Sequence, residues 1–214
     1  MFFENREQAA ELLAKKLESL PERIQDQNPL VLAIPRGGLP LGAVIAKYLK
    51  GQLDVVLVHK IGAYGNPEYA IGSVSEFGTI HQTDEVAAAQ DLTYLNAQAQ
   101  REIERLKQRR KAYSQVRPPI DPQGRIVVIV DDGIATGSTL LAAVQVIRER
   151  HPKKLIVAAP VASNSAVDLL RSQVDELVIL SVPRKFFSIS HFYKSFQQVQ
   201  DEEVIKLLQE FGDA

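Results

Sequence analysis

The sequence predicts an α/β fold, a doubly wound and mainly parallel sheet flanked by helices, interrupted by a hairpin and long-helix insertion. Three observations predict it. Short unbroken apolar runs recur at 30–34 and inside the strands expected at 125–131 and 154–159, and a run without alternation suits a strand buried on both faces. Segments of helical period stand between these runs, so strands and helices alternate along the chain. The 214 residues include no Cys and are 45% hydrophobic, so one sizeable core has to hold without disulfides or thiolate metal sites.

The elements follow in order. From Glu4 to Leu20 the apolar residues Ala9, Leu13, Leu17 and Leu20 step by four and three, and Pro21 stops that helix. A strand at 30–34 leads into Pro35-Arg36-Gly37-Gly38, then a helix at 39–49 closed by Gly51, then a strand at 53–58. Residues 61–82 are rich in glycine (Gly62, Gly65, Gly72, Gly78) and read as a loop leading into a small hairpin. A long charged helix is expected over 91–116, with Leu92, Leu95, Ala99, Ile103, Leu106 and Tyr113 as a narrow apolar stripe and Pro118-Pro119 at its end. A stripe that narrow suits packing on one side only, so an arm or a dimer contact is its expected role. Strand 125–131, helix 138–150, strand 154–159, helix 164–172 and strand 176–181 resume the alternation. An aromatic and basic tail, 182–196, precedes a last helix at 201–211. The chain therefore reads as a single domain over 1–214, with 61–120 as an insertion in it.

Charge and composition narrow the function. Lys and Arg number 25 against 26 Asp and Glu, which removes the basic excess a nucleic-acid binder needs to engage phosphates. No apolar run approaches the ~20 residues of a membrane span. The first residues carry charge early and lack a signal-like apolar core. The expectation is a cytoplasmic protein that handles a small molecule. The four His residues (His59, His81, His151, His191) show no metal-ligand spacing.

The segment from Arg125 to Leu140, RIVVIVDDGIATGSTL, carries the chemistry. A hydrophobic strand delivers Asp131 and Asp132 at its carboxyl end, where ligands bind in open α/β sheets. The loop Ala135-Thr136-Gly137-Ser138-Thr139 lacks bulk, so its backbone N–H groups can converge on an anion at a helix N-terminus. Its hydroxyls add further donors. Paired acids one loop away suit a ribose diol, or a Mg²⁺ ion held through water. A receiver domain would want its acids after the first strand, and a P-loop NTPase needs a Gly-Lys-Ser/Thr triplet that the sequence lacks.

VVIVDDGIATGST closely resembles the phosphoribosyl-pyrophosphate signature of type I phosphoribosyltransferases. The resemblance implies that Asp131 and Asp132 take the ribose hydroxyls and that Ala135, Thr136, Gly137, Ser138 and Thr139 cradle the 5′-phosphate. Gly133 stands where the family usually has an apolar residue, and Ser138 where a second Gly is common. IPRGGLPLGAVIA looks like the pyrophosphate loop and following helix of bacterial xanthine-type members. That likeness implies pyrophosphate contacts from Arg36, Gly37 and Gly38, in a loop where an Arg-Gly pair is often joined by a strained peptide bond. Lys60, at the end of the second strand, takes the place of a basic residue facing pyrophosphate, whereas His59 alternates to the other side. The stretch Gly62 to Gly78 occupies the position of the family's flexible catalytic loop; an ordinary hairpin arm is the other reading. The segment from 182 onward corresponds to a hood plus C-terminal helix, in which Phe186 or Phe187 would stack on a base and Lys185 would read its exocyclic groups. Packing of those aromatics against the N-terminal helix is the bland alternative.

The resemblance implies Mg²⁺-dependent transfer of 5-phosphoribosyl from phosphoribosyl pyrophosphate to a nitrogenous base, of the kind used in nucleotide salvage, with Arg36 and Lys60 as cations for the leaving group. Expected partners are those small molecules and a homodimer mate, with no nucleic acid or membrane. Ala135 stands where 6-oxopurine members often carry an Asp, which removes the most obvious general base. Two rival readings stay open: a regulatory protein that binds phosphoribosyl pyrophosphate without transferring it, and a hydrolase or pyrophosphatase acting on nucleoside phosphates. Retention of Arg36-Gly37-Gly38 favours the transferase.

Overall fold

The computed structural model describes residues 1–21, 23–82 and 92–212. In chain order these form α1 (Arg6–Glu18), β1 (Leu30–Ala33), α2 (Gly38–Tyr48), β2 (Gln52–Val55), β3 (Val58–Ala63), β4 (Asn66–Ser75) and β5 (Ile80–Gln82). There follow α3 (Leu92–Ser114), β6 (Ile126–Val130), α4 (Ser138–Arg148), β7 (Lys154–Val161), α5 (Asn164–Arg171), β8 (Glu176–Ser181) and α6 (Asp201–Gly212). The parallel α/β fold expected from the sequence is the fold observed.

Strands β2-β1-β6-β7-β8, in that order, make a five-stranded parallel sheet. The apolar runs are unbroken because helices cover both faces. Val128 and Val130 of β6 join the cluster with Leu13, Leu17, Leu39 and Ile45 of α1 and α2, while Val127 and Ile129 join Leu140, Val144 and Leu170 of α4 and α5. Alternate residues of one strand thus feed two cores. From β1 the chain proceeds to β2 on one side, and β6 adds on the other, so the strand order reverses between β1 and β6. Ala33 is in register with Val130, and the Ile34 N–H donates to the Val130 carbonyl at 2.9 Å. The loops after β1 and β6 therefore leave the sheet side by side, at the topological switch point where ligands bind in open sheets.

Two expectations need correction. The second strand does not run over 53–58: β2 stops at Val55, and Val58 opens a separate strand. The chain turns away at Leu57, whose N–H donates to Glu76 Oε1 at 3.1 Å and whose carbonyl accepts from the Glu76 N–H at 3.0 Å. Residues 58–82 are likewise more than a loop and hairpin, because β3-β4-β5 form a three-stranded antiparallel sheet. The glycines that suggested a loop mark its turns: Gly65 (φ +77°) lies between β3 and β4, and Gly78 (φ +84°) between β4 and β5. Much of Gly62 to Gly78 is thereby paired as strand.

Helix α3 buries Leu95, Ala99, Ile103, Leu106 and Tyr113 of the stripe read from the sequence; the burial expected of Leu92, and the start expected at residue 91, lie outside what is described. Arg110 of α3 reaches across to Asp54 Oδ1 at 2.8 Å, to Glu76 Oε1 at 2.8 Å and to the Val55 carbonyl at 2.6 Å, joining both sheets to the helix. After β8, residues 182–199 fold back over the carboxyl edge of the sheet together with residues 1–5. The Phe3 N–H donates to Phe192 O at 2.8 Å, Lys194 N–H to Phe3 O at 2.9 Å and Ser195 N–H to Glu4 O at 2.9 Å. Phe3, Ala9, Val161, Phe192 and Tyr193 make a small third core beneath this layer. Among the described residues no helix is long and apolar enough to cross a membrane.

Candidate active site at the switch point

Strand β6 delivers Asp131 and Asp132 into two different cavities. Asp131 lines one of about 150 Å³ with Gly133, Ala135, Thr136, Gly137 and Thr139. Asp132 lines one of about 410 Å³ with Arg6, Arg36, Gly37, Phe196 and Val199. Ile189 stands in the wall of both. Gly133, the departure noted in the signature, makes this possible: a Cβ there would lie 2.6 Å from Ile189 Cγ2.

The loop around the first cavity is held from below. The Ser163 hydroxyl donates to the Ala135 carbonyl at 2.6 Å and accepts from the Ala166 N–H at 3.1 Å as the N-cap of α5. Gly137 precedes α4 at φ +81°, a left-handed backbone that glycine adopts without strain. Thr136, Gly137 and Thr139 thus surround a helix N-terminus, where free N–H groups favour an anion. Ser138 belongs to a neighbouring cavity, about 210 Å³, between α4 and the antiparallel sheet.

Burial pushes the Asp131 carboxyl well above the usual carboxylate range, and the adjacent Asp132 charge adds to the push. Asp132 is raised by burial too, with the Arg6 guanidinium opposing. Arg6 Nε donates to Asp132 Oδ2 at 2.9 Å and its NH2 lies 2.8 Å from the same oxygen. The Tyr193 hydroxyl donates to the Asp132 backbone carbonyl at 2.6 Å.

The loop after β1 abuts these acids. A Cβ on Gly37 would lie 2.1 Å from Asp132 Oδ2, and one on Gly38 would lie 2.6 Å from the Val130 carbonyl. The two glycines allow the loop after β1 to close against the acidic turn. The cis peptide bond precedes Arg36, between Pro35 and Arg36, rather than joining Arg36 to Gly37 as expected. Arg36 points toward Asp201 Oδ2 at 3.5 Å. The other oxygen of Asp201 accepts from the Tyr113 hydroxyl at 2.8 Å and from Arg109 at 2.9 Å.

Other expected residues are placed elsewhere. Lys60 lines the 210 Å³ cavity with Ser138, Ser73 and His81, not the cavity of Arg36, because it belongs to β3 of the antiparallel sheet and not to the end of β2. His59 points away toward Glu102 of α3, at 3.7 Å. Phe186 turns inward onto Phe192, with ring centroids 5.4 Å apart, and Phe187 is 76% exposed. Neither ring lines the two cavities, and Lys185 is exposed. The residues of this layer that do line the cavities are Ile189, Phe196, Gln198 and Val199. Sequence reasoning missed Arg6, Ile189, Phe196, Ser163 and Asp201; only Ser163 carried a local signal, as a serine opening a helical segment.

A family model, that of the phosphoribosyl transferase domain, matches residues 3–195. The chain belongs to the phosphoribosyl transferase family. A Mycobacterium tuberculosis relative, assigned by name to the phosphoribosyl transferases, is 37% identical over 211 residues, covering 96% of this chain and 46% of the relative. The chain thus spans about half the length of the curated relatives it matches so fully. A ribose-phosphate pyrophosphokinase of Pyrococcus furiosus is 38% identical over 74 residues, 33% of this chain and 26% of the relative. The crystal structure of the protein TT1426 from Thermus thermophilus superposes with a TM-score of 0.89 at 41% identity, covering 99% of both chains.

Proposed function

We propose that this member of the family transfers a 5-phosphoribosyl group from phosphoribosyl pyrophosphate to a ring nitrogen of a base. The carbon–oxygen bond to pyrophosphate breaks, pyrophosphate leaves with the electron pair, and a carbon–nitrogen bond forms as the acceptor nitrogen gives up its proton to the departing pyrophosphate or to water. One observation carries the reading: the hydroxyl-rich loop at the α4 N-terminus, the two acids and the Arg36 loop converge at one switch point because β1 and β6 are neighbours. On this reading Thr136, Gly137 and Thr139 hold the 5′-phosphate, Asp131 and Asp132 the ribose hydroxyls, and Arg36 with the Gly37 backbone the pyrophosphate. Ile189 and Phe196 supply apolar walls for an acceptor ring. Catalysis is then positioning and stabilisation of the departing anion.

Among the described residues no group of three or more His and acidic side chains could hold a metal ion. The donor set still fits Mg²⁺, which is commonly bound through one or two carboxylates plus substrate phosphate oxygens. Asp131 would hold it, since Asp132 Oδ2 is already taken by Arg6. When bound, the ion supplies charge neutralisation of the leaving pyrophosphate.

Calorimetric titration of phosphoribosyl pyrophosphate into wild type and into Asp131→Asn/Asp132→Asn tests the site. The double variant is expected to bind roughly tenfold or more weakly, and equal affinity would undo the assignment. Assays with labelled phosphoribosyl pyrophosphate, Mg²⁺ and a panel of bases test the transfer. A second reading, a binder that does not transfer, is favoured by one feature. Among the described residues, Asp131 apart, the phosphate-loop cavity is lined by no carboxylate or imidazole to accept the acceptor's proton, and Asp132 is paired with Arg6. Tight binding without nucleotide formation would select it.

A further inference from the structure

The side chain at the heart of the larger cavity that has no counterpart in the signature is Arg6. It stands in the first turn of α1, 126 residues from Asp132 in sequence, yet both its Nε and NH2 address Asp132 Oδ2 at 2.9 and 2.8 Å. Its third nitrogen donates to the Gln197 carbonyl at 2.7 Å, and its guanidinium carbon lies 3.8 Å from the centroid of the Phe196 ring. The cation is therefore fixed by two bonds to the acid, one to the backbone and a stacking face. The helix that carries it is started by Asn5, whose side chain accepts from the Gln8 N–H at 2.9 Å.

Asp132 is confined as closely. Gly37 leaves no room beside Oδ2, and Tyr193 holds its backbone carbonyl. Oδ2 is committed to Arg6, which leaves Oδ1 for a ligand, and Asp132 lines the cavity shared with Arg36. A carboxylate anchored through one oxygen can offer the other in a fixed direction to a hydroxyl donor. Without Arg6 the same carboxyl could rotate, and would have no cation to offset its burial.

We propose that Arg6 is a positioning residue of this site, locking the Asp132 carboxylate so that its second oxygen is presented to the ribose hydroxyls of phosphoribosyl pyrophosphate. The inference rests on the binding reading above. It adds that the Asp132 half of the ribose contact depends on a residue of α1 and on the layer built from residues 1–5 and 192–199.

The test is a double-mutant cycle read by calorimetry with phosphoribosyl pyrophosphate, using wild type, Arg6→Gln, Asp132→Asn and the double variant, with a thermal melt of each. Arg6→Gln is expected to weaken binding roughly tenfold or more. In the Asp132→Asn background the same change should alter affinity by less than about twofold, because Arg6 acts through that carboxylate. Arg6→Lys, which keeps the charge but not the paired geometry, should fall between. Phe196→Leu, which removes the stacking face without touching Asp132, serves if the Arg6 variants do not fold and should weaken binding in the same direction. A merely structural pin would lower the melting temperature and leave affinity unchanged, or cost affinity equally in both backgrounds. Either result overturns the proposal while leaving the binding reading intact. Absence of binding by wild type overturns both.

Discussion

Gly37 and Gly65 look interchangeable in the sequence, each glycine in a loop, but their neighbours differ. A methyl group on Gly37 would meet Asp132 Oδ2 at 2.1 Å, an atom that Arg6 holds in place. Gly65 has nothing within 4 Å, and only its φ of +77° argues against a side chain. Gly37→Ala should therefore displace the carboxylate or the loop, at a cost of about 1–3 kcal/mol for an overpacked contact. Binding of phosphoribosyl pyrophosphate is expected to weaken about tenfold, because on the proposed reading the displaced group contacts the ribose. Gly65→Ala should cost about 1 kcal/mol of stability from backbone strain and leave binding unchanged. Calorimetry and thermal melts on the two variants separate these outcomes, and a Gly37→Ala protein with wild-type affinity would mean that the acid tolerates displacement.

At the scale of elements, α3 is fastened at two points along its length. Arg110 occupies a buried slot between Asp54, 2% exposed, and Glu76, 8% exposed, so removing it strands two acids without a cation. Arg110→Met should destabilise the protein by about 3–5 kcal/mol, and adding Asp54→Asn and Glu76→Gln should recover much of that loss in urea unfolding. Beside it, Arg109 and Tyr113 reach Asp201 at the start of α6. Burial works against its charge, but the Tyr113 and Arg109 bonds hold the Asp201 carboxyl below its usual range. The sign follows from linkage: a lowered folded value means stability that is present above the unfolded value, about 3.9, and is lost as pH falls through the folded value. The melting-temperature gap between wild type and Asp201→Asn should thus be open at pH ~6 and close as pH falls below about 4. A gap that persists into acid would deny the carboxylate this role. The sequence showed α3 itself through its stripe from Leu95 to Tyr113, because that pattern is local. It could not show these fastenings, since Arg110 and Arg109 look like any charges on a solvated helix until Asp54, Glu76 and Asp201 arrive from elsewhere in the chain.

For the whole molecule the same divide between local and distant explains what was legible. The parallel sheet was readable because each central strand buries both faces within a short run, and the loop that opens α4 because strand, acids, glycine and hydroxyls are contiguous. Lys60 misled because the strand assigned to it turns at Leu57 onto Glu76, a contact made nineteen residues later. The aromatic tail misled because Phe186 had a better apolar neighbour in Phe192, leaving Ile189 to approach Gly133. Arg6 was invisible for the same reason that it matters: it joins the beginning of α1 to the acid after β6. Phe3 and Glu4 pair with Phe192, Lys194 and Ser195, Arg6 follows two residues later, and Arg6 holds Asp132. On the proposal that Arg6 presents Asp132 to the ligand, reciprocity requires that ligand binding also stabilise that pairing. Hydrogen exchange reads it out. Phosphoribosyl pyrophosphate should slow exchange at the amides of Phe3, Lys194 and Ser195, which bond across this seam. The amide of Leu155, tied to Asp175 Oδ2 at 2.6 Å near the opposite edge of the sheet, should change little. Phe3 is fully buried, so Phe3→Ala should cost about 3–5 kcal/mol and also weaken ligand binding, although the side chain lines neither cavity. Protection at Leu155 equal to that at Phe3 would indicate global stabilisation instead, and would break the proposed link between the seam and the acid.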